Sequence, residues 1–232
     1  MNINFANENV VGTIQPIAYK KEVEKGKIFY RYVKRFVDII GAIFGIIILL
    51  PLTIIVSIAN IFEKDKGPVF YTQNRIGKNG KLFKMYKFRS MVIGADEILE
   101  EYLEKNIEAK EEYRINKKLK DDPRITKIGK IIRKTSIDEF PQFINILKGE
   151  MSLVGPRPYL PREREDMKDF YQCIISQKPG LTGLWQVSGR NDLTFEERLK
   201  LDKMYYEKRS IKIDFIILIK TFFKVFYKEG AV

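Results

Sequence analysis

Between Phe36 and Phe62 the chain carries a single charge, Asp38, and this run constrains everything around it. Its length suffices to cross a bilayer, because about 20 apolar residues in a helix span the ~30 Å hydrocarbon layer. Pro51 divides the run into pieces of roughly a dozen residues, each about 15–20 Å long as helix, so neither piece spans alone. Basic residues flank both ends: Lys25, Lys27, Arg31, Lys34 and Arg35 before it, then Lys64, Lys66, Arg75, Lys78, Lys81 and Lys84 after it. The positive-inside tendency therefore asks for both ends on the cytoplasmic side. A re-entrant helix over 30–62, entering one leaflet, bending at Pro51 and returning, satisfies both facts. An ordinary proline-kinked spanning helix remains the alternative. A buried core helix fits less well, because few soluble helices stay uncharged for so long.

Residues 1–29 read as a flexible lead, without the charged n-region and short apolar core of a cleavable signal peptide. Residues 63–232 hold enough apolar side chains for a folded domain. The excess of 42 Lys and Arg over 30 Asp and Glu gives +12, which calls for an anionic partner: nucleic acid, an anionic membrane surface or a phosphorylated substrate. The sequence has no histidine, which excludes His-based acid–base catalysis, Ser-His-Asp triads and the usual zinc sites. A single cysteine, Cys173, allows no disulfide within the chain and suits a small buried residue in a reducing compartment.

The expected architecture is α+β and mostly helical. Residues 68–91 read as a β-hairpin turning at Asn79-Gly80, with basic and aromatic residues alternating along its second strand. A solvated basic strand face and a nucleic-acid platform both fit that alternation. Ala95 to about Lys120 reads as one charged surface helix, and Lys127 to Lys134 as a short basic one. Arg162 to about Cys173 is expected to be helical. The glycine-rich segment Lys178 to Asn191 is a tightly turned loop able to bring backbone donors and Arg190 near an anion. Thr194 opens a helix with Glu197 at the capping-box offset. The aromatic segment Asp214 to Tyr227 suits an amphipathic helix lying in the membrane interface, or packing against the first apolar segment.

Two adjacent carboxylates, Asp138 and Glu139, stand where chemistry is most readily placed. Pro141 cannot lie deep in a helix, so the helix carrying Phe143, Ile146 and Leu147 begins close to Asp138 and leaves both acids near its N-terminus. Ser136 and Glu139 also fit a plain capping box, which needs no function. Lys130, Arg133 and Lys134 upstream and Arg157 downstream, held between two prolines, surround the pair with cations. Carboxylates among fixed cations suit phosphoryl chemistry, in which a carboxylate attacks phosphorus or holds Mg²⁺ while Arg and Lys neutralise phosphoryl oxygens.

These residues together resemble the bacterial sugar transferase family, the monotopic polyprenyl-phosphate phosphoglycosyl transferases, from about Tyr30 to Val232. The resemblance rests on Lys34-Arg35-x-x-Asp38, Tyr71-Thr-Gln-Asn-Arg75-x-Gly77, Lys87-Phe-Arg-Ser-Met91, Asp122-Pro-Arg-Ile-Thr126, Arg133-Lys-Thr-Ser-Ile-Asp-Glu139, the stretch from Asn145 to Pro158, and Pro179-Gly-Leu-Thr-Gly-x-x-Gln186. It implies a cytoplasm-facing catalytic domain on the bacterial inner membrane that transfers a sugar-1-phosphate from a UDP-sugar to undecaprenyl phosphate and releases UMP. It further implies Asp138 as nucleophile, Glu139 as the Mg²⁺-associated carboxylate, and Lys87, Arg89, Arg133 and Arg157 among the phosphate-binding cations, to which Arg190 is added here. Membrane lipid is the implied surrounding and nucleic acid is not an implied partner; a homo-oligomer is compatible with the resemblance. The C-terminal Lys-Glu-Gly-Ala-Val and the 95–120 insert look more like members that transfer a hexose-1-phosphate. Many members carry Ser-Pro at the membrane bend, where this chain has Leu50-Pro51, so one hydroxyl partner for a freed carbonyl is missing. A basic membrane-anchored adaptor or nucleic-acid-binding protein, and a glycosidase-like use of the carboxylate pair, are the rival readings.

Overall fold

The long apolar run folds as part of one helix, α1 (Pro16–Ile61), that continues through Pro51. The computed structural model describes residues 16–189 and 193–227. α1 therefore begins at Pro16 and takes residues 16–29, expected in the flexible lead, into regular structure; residues 1–15 lie outside the described residues. A proline inside a helix removes one backbone donor. Two residues further on, the Thr53 hydroxyl donates to the Leu49 carbonyl at 2.8 Å, which is not the Ile47 carbonyl whose helical donor Pro51 removes.

α1 is followed by the hairpin β1 (Phe70–Ile76) and β2 (Leu82–Phe88), antiparallel with Thr72 opposite Tyr86. Asn79 and Gly80 both take positive φ, as the turn signal requires. The expected 95–120 helix is two helices, α2 (Ala95–Lys105) and α3 (Ile107–Asn116). The break falls at Asn106, which adopts an extended backbone and whose side chain accepts from the Ala109 amide at 3.0 Å, starting a new helix instead of extending the old one.

α4 (Lys127–Lys134) is capped by Thr126, and α5 (Gln142–Lys148) begins just after Pro141. A short parallel pair then forms between β3 (Ser152–Val154) and β4 (Gly180–Thr182). Between them the expected 162–173 helix is replaced by two 3-10 turns, Pro161–Glu163 and Lys168–Phe170, and the short α6 (Tyr171–Ile175). Lys168 takes a positive φ there, which interrupts the helical path. The expected glycine loop contains β4 and α7 (Leu184–Ser188). α8 (Phe195–Lys208) carries the capping box at Thr194 and Glu197, and α9 (Ile211–Tyr227) closes the described chain.

Part of the core is organised along α1. Ala42 packs with Met85, Ile146 and Met151, while Leu49 and Val56 pack with Phe88 of β2 and Ile132 of α4. Burying each such aliphatic side chain is worth about 1.5–3 kcal/mol. Gly45 lets α5 approach closely, since a Cβ there would lie 2.2 Å from the Phe143 ring.

Polar groups fix the N-terminal half of α1. Lys34 pairs with Asp214 of α9 at 2.7 Å, Arg35 donates to the Ile146 and Leu147 carbonyls at the end of α5, and Asp38 accepts from Ser152 Oγ and Leu153 N. The Lys-Arg-x-x-Asp motif is thus a docking motif. The opposite face of α1 stays apolar and exposed, with Phe44, Leu50, Ile54 and Ile61 each more than half accessible. By length and composition, residues 28–61 could cross a membrane. α9 repeats the pattern: Ile217 is buried, whereas Phe215, Phe222 and Phe223 are exposed.

Candidate active site

Asp138 and Glu139 lie in a 3-10 turn, Ile137–Glu139, between α4 and α5. Ser136 makes the reversal with a left-handed backbone (φ 57°) and no side-chain cap bond, so the expected capping box is not formed. The turn is closed by Glu139 N to Ser136 O at 3.2 Å and Phe140 N to Ile137 O at 3.1 Å. This geometry turns Asp138 inward, 7% exposed, while the Glu139 side chain stays 38% exposed. Ile137 and Phe140 pack beside Leu49 and Val56, seating the acidic turn against α1 on either side of Pro51.

Lys87, near the end of β2, reaches both acids. Its ammonium lies 3.2 Å from Glu139 Oε1 and 3.7 Å from Asp138 Oδ2. Arg133, in the last turn of α4, donates through Nε to Ser90 Oγ at 2.8 Å. Burial pushes the Arg133 guanidinium below its usual range, and the fields of Asp138, then of Asp122, oppose that shift. Asp122 itself is held by Arg124 through contacts of 2.8 and 2.7 Å. Burial alone would raise its carboxyl, but the bonds and charge of Arg124 outweigh burial and keep it low.

The other expected cations are placed elsewhere. Arg89 directs all five N–H donors of its guanidinium to other groups: Nε to Pro68 O at 2.9 Å, Nη1 to Asp65 Oδ2 at 2.9 Å and Met91 O at 3.3 Å, and Nη2 to Asn60 Oδ1 and Asp65 O, each at 2.8 Å. It clamps the end of α1 to the end of β2, so all five donors of this expected phosphate ligand are engaged within the chain. Arg157 joins a second cationic group with Arg75 and Arg198, its guanidinium 5.6 Å from the Trp185 ring. Its amide donates to Asp202 Oδ2 at 3.1 Å. Arg190 lies outside the described residues.

Asp202, Arg198 and Tyr159 escape a sequence reading. Asp202 is fully buried, and burial pushes its carboxyl up to about 7 against the bonds from Tyr159 and the Arg157 amide. Arg198 and Asp202 stand four residues apart on α8 and resemble a solvated helix pair; only the apolar Phe195 and Leu199 between and before them hint that this face is inward.

Chemically, the turn offers two carboxylates with hard oxygen donors, one enclosed and one accessible, beside an ammonium and a guanidinium. Mg²⁺ is commonly held by one or two carboxylates together with substrate phosphates, and this donor set fits such a site. No cluster of three or more acidic, His or Cys ligands occurs among the described residues.

Comparison with known proteins places the chain among sugar transferases. The family described as Bacterial sugar transferase matches residues 29–228. The undecaprenyl-phosphate galactose phosphotransferase of Salmonella typhimurium is 46% identical over 201 residues, covering 87% of this chain and 42% of that protein. The UDP-galactose-lipid carrier transferase of Erwinia amylovora is 45% identical over 201 residues, covering 87% of this chain and 42% of that protein. The exopolysaccharide production protein ExoY of Sinorhizobium fredii is 43% identical over 198 residues, covering 85% of this chain and 87% of that protein. The chain thus spans under half the length of the first two relatives and most of the length of the third.

Proposed function

The chain belongs to the bacterial sugar transferase family, and on that premise we propose that it transfers a sugar-1-phosphate from a UDP-sugar to undecaprenyl phosphate, releasing UMP. The observation that carries this reading is the seat of Asp138: a buried carboxylate beside Lys87 and Arg133, on a turn packed against the apolar helix at Pro51. Such a turn offers a nucleophile at the depth where a lipid phosphate resides.

In the proposed reaction an Asp138 carboxylate oxygen attacks the β-phosphorus of the UDP-sugar. The bond from that phosphorus to the bridging oxygen breaks, and UMP leaves with the electron pair. An oxygen of the polyprenyl phosphate then attacks the same phosphorus, displaces the Asp138 carboxylate, and carries away the sugar-phosphate as a polyprenyl diphosphosugar. Lys87 holds both carboxylates in register, and Arg133, oriented by Ser90, presents its remaining donors towards the phosphoryl oxygens. Glu139, the more exposed acid, would hold Mg²⁺; the bound ion would supply neutralisation of the donor's diphosphate charge. Arg89 stands outside this set as a positioning residue.

The membrane arrangement in this proposal is re-entrant. Tyr30, Lys34, Arg35 and Asp38 bind the folded body from one half of α1, Leu49, Val56 and Asn60 bind it from the other, and Glu63, just past the helix, accepts from the Ile128 amide. A helix crossing the bilayer would draw that charged body into the ~30 Å hydrocarbon layer. With the body outside, one face of α1 and the exposed aromatic face of α9 lie in one leaflet of the bacterial inner membrane, and both ends of α1 face the cytoplasm. Cysteines introduced before Arg35 and after Lys64 are expected to react with an impermeant reagent from the same side of sealed vesicles. Labelling from opposite sides would contradict the re-entrant arrangement.

Incubating the protein with undecaprenyl phosphate, Mg²⁺ and a panel of UDP-sugars, with UMP as readout, tests the activity directly. One or a few UDP-hexoses are expected to give lipid-dependent turnover, and UMP release from none of the panel would contradict the proposal.

A further inference from the structure

The stretch that ends α1, residues 60–65, sends side-chain acceptors into the folded body from Asn60, Glu63 and Asp65. Asn60 Oδ1 and Asp65 Oδ2 accept from the Arg89 guanidinium at 2.8 and 2.9 Å, and Asp65 Oδ2 also takes the Ile93 amide at 2.7 Å. Asn60 in turn donates to Gly67 O at 2.8 Å, which folds the stretch back on the helix end. Glu63 reaches a different element. Its Oε1 accepts from the Ile128 amide, in the first turn of α4, at 2.6 Å. A carboxylate on a first-turn amide is ordinary helix capping unless the helix carries a group whose exact place matters.

α4 carries such a group. Arg133, in its last turn, lies in the field of Asp138 and donates through Nε to Ser90 Oγ at 2.8 Å. The helix is seated along one side only: Ile128 and Ile132 pack beside Val56 and Phe88, whereas Lys127, Lys130, Ile131 and Lys134 are exposed. Its first turn lies directly on the backbone of Ser90. Thr126 N donates to Ser90 O at 3.1 Å, and a Cβ on Gly129 would lie 2.0 Å from the same oxygen. With 8 residues, α4 is a rod about 12 Å long, so a slip at its first turn is passed on to Arg133 at its last. Misplacing a group beside the reacting atoms by about 1 Å can cost a hundredfold in rate.

We propose that Glu63 is a positioning residue for the phosphotransfer: by binding the Ile128 amide it fixes α4 to the end of the membrane helix, and so fixes Arg133 against the acidic turn. The same stretch, through Asp65 and Arg89, holds the end of β2 just beyond Lys87. Both cations beside Asp138 are thereby referred to one end of α1, and the apolar helix and the cationic side of the site keep their places together. This deepens the phosphotransfer reading and rests on it for the role of Arg133, while the Glu63 anchor stands on the geometry of α4 alone.

A double-mutant cycle separates positioning from plain capping. UMP release by the full chain in nanodiscs is followed with enzyme in excess, so that slow variants stay readable, at a temperature below every unfolding midpoint. Glu63→Ala is expected to lower the rate about tenfold in the wild-type background and less than about twofold in Arg133→Met, because the residue it acts through is then gone. Glu63→Gln keeps an oxygen for the Ile128 amide and is expected to stay within about threefold of wild type. Amide exchange across α4, read on the same proteins without substrate, is expected to quicken about fivefold in Glu63→Ala and to stay unchanged in Glu63→Gln. Equal losses in the two backgrounds, wild-type turnover in Glu63→Ala, or a loss in Glu63→Gln as large as in Glu63→Ala would overturn the proposal. A wild-type protein that releases no UMP would instead overturn the phosphotransfer reading, and the exchange data then decide the anchor alone: unchanged exchange in Glu63→Ala would remove it. If Glu63→Ala does not fold, Glu63→Asp, shorter in reach by one methylene, carries the same comparison.

Discussion

Asp138→Asn is expected to lower UMP release by about a thousandfold or more while leaving the thermal unfolding midpoint nearly unchanged. The amide keeps the size and the turn geometry of the carboxylate but cannot form the acyl phosphate. Its neighbour gives the contrast. Glu139 is the more exposed acid, and in the proposed reaction it holds a metal without attacking, so Glu139→Gln should cost less, about tenfold to a hundredfold. Steady-state UMP release with undecaprenyl phosphate, compared across the two variants at matched stability, separates the roles. Near-wild-type turnover by Asp138→Asn would remove it as the nucleophile.

Gly180→Ala is expected to damage the fold more than its single methyl group suggests. β3 and β4 cross so closely that a Cβ at position 180 would lie 2.1 Å from Gly155 N and 2.3 Å from Thr182 O. Both are backbone atoms held in place by the Gly155 N to Thr182 O bond at 2.9 Å and the Gly180 N to Pro156 O bond at 2.8 Å, so neither can give way as a side chain would. The methyl group forces the strands apart, with an expected loss of about 3 kcal/mol of stability, readable as a lowered denaturation midpoint. The same displacement moves the Gly155–Pro158 turn, which carries Arg157. Wild-type stability in this variant would mean that the strand pair is not held as described.

Much of this architecture is legible in sequence where the determinant is local. The hairpin follows from Asn79-Gly80 between apolar-patterned segments, and the start of α8 from the reciprocal Thr194 and Glu197 bonds. The long apolar helix follows from an uncharged run. The acidic turn is legible because Pro141 limits where α5 can begin, although the left-handed Ser136 replaces the simple capping box.

Long-range pairings are not legible in the same way. Lys34 looks like part of a basic membrane flank, yet its partner Asp214 lies 180 residues further on. Arg89 carries the composition of a phosphate ligand, but its donors meet a loop folded back from the end of α1. Arg198 and Asp202 look like surface charges until Tyr159 and Trp185 cover them. In each case the residue type states what chemistry is available, and only the tertiary contacts decide which partner uses it.

Covalent catalysis by Asp138 is open to a single measurement: the intact mass of the protein after incubation with its UDP-sugar and Mg²⁺ in the absence of undecaprenyl phosphate. A stoichiometric burst of UMP is expected, with an added mass equal to one sugar-phosphate minus water on the peptide containing Asp138 and loss of that mass when undecaprenyl phosphate is supplied. UMP release that strictly requires the lipid, with no adduct formed in its absence, would contradict it.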